Sequence, residues 1–246
     1  MFPKNIVQFA LLLILSMVIC MPLKYFILDR LFNQDLAMHL LFIGFSIFFV
    51  LFVHLINFKN RVKLNYVIIP FDVNFILFVL IIIWTLQTLF IIPINHFLFP
   101  NNSFQPSLYF ILGAVVVAPF LEEIIFRNIL LNSLLNNYNK KKSVIISAFL
   151  FGLIHIQPIQ IVFATIVGFL LGMVYAKNKN IAYTIILHSF SNAIVLLINF
   201  LTNKFSTALF FDISIGVNII ISISVLYYMN IKYGFSIQKL IQEIND

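Results

Sequence analysis

The sequence predicts an all-α fold, a polytopic transmembrane helical bundle of about eight spans with both termini in the cytoplasm. Three observations carry this expectation. Apolar residues make up 62% of the 246-residue chain and charged residues 9%, at a mean hydropathy of +1.07, which leaves too little polar material to cover a water-facing globule. The apolar runs are about as long as the ~20 residues a helix needs to cross a ~30 Å hydrocarbon core. They also lack the strict alternation of transmembrane barrel strands.

The spans are expected at 6–23, 36–58, 73–94, 107–136, 143–156, 159–176, 181–201 and 207–230. The first has no small-residue cleavage site, and Met17-Val18-Ile19 before Cys20 is not a lipoprotein signal, so it reads as a retained helix. Asn101-Asn102-Ser103, between Pro100 and Pro106, marks an outer loop and the best internal boundary. It separates an N-terminal three-span scaffold, 1–106, from a four-helix core, 107–201, and a last span with its tail, 202–246. The fourth span is long. The fifth is short enough that the bilayer must thin around it or its ends must be buried.

Charge placement orients the bundle. With the N-terminus inside, Lys4, Lys59, Arg61, Lys63, Lys140, Lys141, Lys142, Lys177, Lys179, Lys232 and Lys239 fall on inner segments, and only Lys24, Arg30 and Lys204 on outer ones. The net charge of +7 is therefore a topology signal, also compatible with binding anionic lipid; its scatter over loops and tails argues against nucleic acid as a partner. Cys20 is the single cysteine, which excludes disulfides within the chain and thiolate metal clusters.

Ionisable groups at membrane depth are costly, about 2.5–3.5 kcal/mol each on insertion scales, so they mark function. Glu122 and Glu123 sit side by side in such a run, followed by Arg127. Helical spacing sets Glu123 and Arg127 on one face, close enough to pair, and turns Glu122 about 100° away. Glu123 and Arg127 thus read as a structural ion pair and Glu122 as the free carboxylate. Pro119 removes a backbone donor just before the pair and bends the helix. Two later segments add Phe151 with His155, one turn apart, and His188 with Asn192, again one turn apart. A water held between Glu122 and His155 would be deprotonated by the carboxylate, while His188 and Asn192 donate to the oxyanion on an attacked carbonyl. That describes a hydrolase.

The spacings Glu-Glu-three residues-Arg, Phe-three residues-His and His-three residues-Asn, in this order on adjacent spans, resemble the three motifs of the CAAX protease and bacteriocin-processing (Abi) family of intramembrane proteases, related to the type II CAAX prenyl endopeptidase. The resemblance covers roughly 107–200. It implies Glu122 as general base with His155 assisting, His188 and Asn192 as oxyanion hole, and Glu123 with Arg127 as support. The family has been called both metalloprotease and glutamate-dependent protease. The residues favour no metal, since no His-Glu-two residues-His pair occurs on one helix and Asn192 is a poor zinc ligand; zinc on Glu122, His155 and His188 is the alternative.

A membrane-associated peptide or protein is the expected substrate and the lipid bilayer the expected surroundings, with bacteriocin maturation, self-immunity or peptide-signal processing in a bacterial cytoplasmic membrane as candidate roles. An inactive immunity or binding protein and a proton-coupled transporter are the competing classes; the apparent lack of repeated halves counts against the transporter. His39, His54 and His96 read as packing or interfacial groups, and Asp72 and Asp212 as residues favouring helix N-termini. Glu122 is expected near mid-membrane and His188 nearer the cytoplasm, in a cavity reached from the inner side or laterally.

Overall fold

The computed structural model describes residues 2–60, 72–91, 93, 106–155, 157–204 and 208–245; Arg61, Lys63, His96 and the expected boundary at Pro100 to Ser103 lie outside them. Among the described residues all regular structure is helical. Six helices of the described residues are long and apolar enough to cross a membrane: α1 (Ile6–Leu31), α2 (Gln34–Lys59, its span Leu36–Lys59), α3 (Val73–Phe90), α4 (Leu108–Leu135), α6 (Pro158–Asn178) and α7 (Ile181–Phe200, continuing to Lys204). Between α4 and α6 lies α5 (Lys140–Leu153), whose 14 residues reach about 21 Å. A long α8 (Ala208–Tyr233) and a short α9 (Ile237–Asn245) complete the chain.

The helices begin where side chains can satisfy orphan backbone donors. Asn5, Asn33, Asp72, Ser107 and Asn139 cap α1 to α5 by accepting from the N–H three residues on. Asp72 thus fills the helix-start role expected of it.

Two apolar clusters flank α4. One joins Phe9 and Leu12 of α1, Phe49 and Val53 of α2, and Ile125 and Phe126 of α4, with Phe151 and Ala164. The other gathers α3, α6 and α7 around Val79, Ile83, Leu171 and Leu187. Helices α5 and α6 form a tight hairpin, because Gly152, Gly168 and Gly172 let side chains of the facing helix approach the backbone.

Candidate active site

Helix α4 is irregular where it carries the glutamates. Two wider i→i+5 stretches, Gly113–Val117 and Ile124–Leu131, bracket the α-helical Ala118–Glu123. In the first, Ala118 N–H bonds Gly113 O. The next bond of that register would run from residue 119 to Ala114 O, but Pro119 has no N–H to give. Asn192 of α7 supplies it, its Nδ2 lying 2.8 Å from Ala114 O. The second stretch is tied to α5, where buried Ser147 donates to Phe126 O at 3.1 Å.

Glu122, Glu123, Arg127 and His188 form one buried group. Arg127 Nε lies 3.1 Å from Glu123 Oε2, as the four-residue spacing predicts. The pair is close in distance but not aligned as a hydrogen bond. The guanidinium stacks instead on Phe151, 4.6 Å from the ring centre. His188 Nδ1 is 3.0 Å from Glu123 Oε1, and its Nε2 is 3.8 Å from Glu122 Oε2. Glu123 is therefore more than the partner of Arg127 that the spacing suggested, because it also fixes the imidazole. Since a carboxylate only accepts, Nδ1 carries a proton and Nε2 is turned to Glu122.

Charge balance then leaves one proton to place. Glu123 and Arg127 cancel, and burial in an apolar bundle favours a neutral whole. Neutrality requires a single proton shared by Glu122 and His188 Nε2. In one placement Glu122 is an anionic base and His188 a charged donor; in the other both are neutral.

His155 is half-buried beyond the end of α5, and its Nδ1 donates to Phe151 O at 3.0 Å, which leaves Nε2 as an acceptor in the neutral ring. It reaches the glutamates through Phe151, whose ring lies 5.3 Å from His155 and 5.5 Å from His188. Glu122 and His155 share no direct hydrogen bond. Space for Phe151 is left by Gly168 of α6, where a Cβ would stand 2.9 Å from Phe151 Cδ1. Among the described residues no three His, Cys, Asp or Glu side chains converge as a metal site would require. The zinc set Glu122, His155 and His188 is thus not gathered on one point as placed.

Sequence reasoning missed several contributors. Thr184, one turn before His188, donates to Ile181 O at 2.9 Å and neighbours Glu123. The spacing Thr184, His188, Asn192 is a four-residue repeat that would have revealed it. Gln87 of α3, fully buried, donates to Ser191 O and Ser191 Oγ, each at 2.9 Å; its signal is an amide deep within an apolar span. His54, read as packing or interfacial, lines a cavity of about 360 Å³ between α2, α4 and α7, beside Phe120, Ile124, Asn128 and Ile185.

Residues 104–194 match the family described as Type II CAAX prenyl endopeptidase Rce1-like, a stretch that contains every site residue from Glu122 to Asn192. A curated relative, "Putative membrane peptidase YdiL" of Bacillus subtilis (strain 168), is 33% identical over 87 residues, 35% of this chain and 36% of that protein. The alignment thus spans about a third of the relative's length. No solved structure matches. Motifs and matched stretch coincide: residues 104–194 of this integral membrane protein are similar to that family.

Proposed function

We propose that the protein is an intramembrane endopeptidase that hydrolyses a peptide bond in a membrane-associated peptide or protein. The likeness to a prenyl endopeptidase family and to a membrane peptidase supports a membrane protease in general. The observation that carries the finer reading is the placement of His188 between Glu122 and Glu123.

In the reactive placement Glu122 is ionised and His188 carries both ring protons. A water near Glu122 and His155 loses its proton to Glu122 as its oxygen attacks the scissile carbonyl. The oxyanion that forms accepts from His188 Nε2–H and from the second N–H of Asn192, whose first is given to Ala114 O. Glu122 then returns the proton to the leaving amine as the C–N bond breaks. Glu123 orients His188, Arg127 balances Glu123, and no step is routed through a metal.

The substrate class follows from the site's setting: a peptide already in or on the bilayer, with bacteriocin maturation, self-immunity or peptide signalling as the roles to examine. The test compares the membrane-peptide complement of cells carrying the wild-type chain with that of cells carrying Glu122→Gln at matched abundance. Loss of the general base should cut product formation by about 10²–10⁴-fold. Unchanged peptide processing by Glu122→Gln would sink the catalytic reading.

A further inference from the structure

We infer that Gln87, on the third helix and outside the matched stretch, is a positioning residue for the His188–Asn192 turn; the inference rests on the hydrolase reading above. Gln87 is fully buried and gives both of its amide protons to one residue, Ser191 O and Ser191 Oγ at 2.9 Å each. The amide does not fit the other way round, because the Ser191 carbonyl only accepts and would then face Oε1. Ser191 is itself buried, and the next residue, Asn192, is tied on its other side to Ala114 O of α4. One turn of α7 is therefore held from two helices, by Gln87 through α3 and by the Pro119 gap through α4. His188 lies three residues before Ser191, so the same tether sets the rotation that places its ring between Glu122 and Glu123. With no water in the hydrocarbon core to replace a lost partner, the two bonds are retained once formed. Gln87 touches no reacting atom in this scheme; it acts through Ser191.

The test uses the full chain in lipid bilayers and two readouts: formation of the membrane peptides that depend on Glu122, and the ¹⁵N ring signals of His188, assigned by their loss in His188→Gln. Gln87→Met keeps the side-chain length and removes both donors. It should lower product formation at least about tenfold, the size of effect reached when a supporting group is misplaced, and shift or broaden the His188 signals at an unchanged unfolding temperature. A wild-type rate, or a His188 signal identical to wild type, overturns the inference. Should Gln87→Met fail to accumulate, Ser191→Ala, which removes one acceptor, takes its place under the same criteria. Loss of processing in Glu122→Gln with none in Gln87→Met refutes the tether alone; processing by Glu122→Gln refutes the hydrolase reading beneath it.

Discussion

His188 Nδ1 meets Glu123 Oε1 at 3.0 Å, so the carboxylate that Arg127 neutralises is also the one that fixes the imidazole. Oriented in this way, a histidine presents a defined Nε2 to its other neighbour, as carboxylate-backed histidines do in hydrolases and metal sites. Two adjacent glutamates thereby act on opposite sides of one ring.

This double duty makes Glu123 sensitive to a change that preserves shape. Glu123→Gln leaves Arg127 as a buried, uncompensated cation and weakens the hold on His188. Breaking one member of a buried ion pair costs about 3–5 kcal/mol. The variant should show a clearly lower unfolding temperature and lose processing as well. Glu122→Gln should lose processing with a much smaller change in stability, because it leaves the Glu123–Arg127 pair intact.

Phe151 supports Arg127, His155 and His188 together, and Gly168 leaves room for it. A methyl group at 168 would press on the ring at 2.9 Å and on Ala148 Cα at 3.4 Å. Gly168→Ala should cost about 1–3 kcal/mol by overpacking and reduce processing by displacing the ring. Gly216→Ala, where an added Cβ meets nothing within 4 Å, is the matched control and should leave both measurements near wild type.

The bundle and the motif residues were legible because membrane cost makes them conspicuous: apolar runs set the spans, and Glu122, Glu123, Arg127, His188 and Asn192 stand out within them. Four-residue spacing also gave the Glu123–Arg127 pair correctly. What the sequence did not disclose arises between helices. Glu122 and Glu123 lie in the α-helical Ala118–Glu123, about 100° apart, and spacing along one helix did not reveal that a ring from α7 would meet both. Gln87 was hidden in the same way: its partner, Ser191, lies more than a hundred residues away in the chain. Nor did motif spacing show Asn192 reaching back to Ala114 O, a contact that arises only from the register before Pro119.

Metal dependence follows from the donor geometry. With Glu122, His155 and His188 not gathered on one point, exhaustive chelation should leave processing intact in a reconstituted preparation. Loss of activity on chelation, with recovery on adding zinc, would require His155 to move in and join the other two through its Nε2.

Pro119 and Asn192 should be energetically coupled although they lie on different helices. Pro119 withholds the N–H that would continue the i→i+5 register from Ala118, and the Asn192 amide fills that place on Ala114 O. In the wild-type background Asn192→Ala leaves the carbonyl short of its donor and should destabilise the protein by about 1–3 kcal/mol. In a Pro119→Ala background the restored backbone N–H can bond Ala114 O itself, so the same Asn192 change should cost less. The difference between the two costs, read from unfolding of all four proteins in bilayers or mild detergent, is the coupling energy. Interacting neighbours give about 0.5–3 kcal/mol in such cycles. Processing should behave otherwise: Pro119→Ala cannot replace the second Asn192 N–H at the oxyanion, so the double variant should regain stability without regaining rate. Additive stabilities would show that Asn192 does not substitute for the missing proline donor, and recovery of rate in the double variant would remove Asn192 from the oxyanion hole.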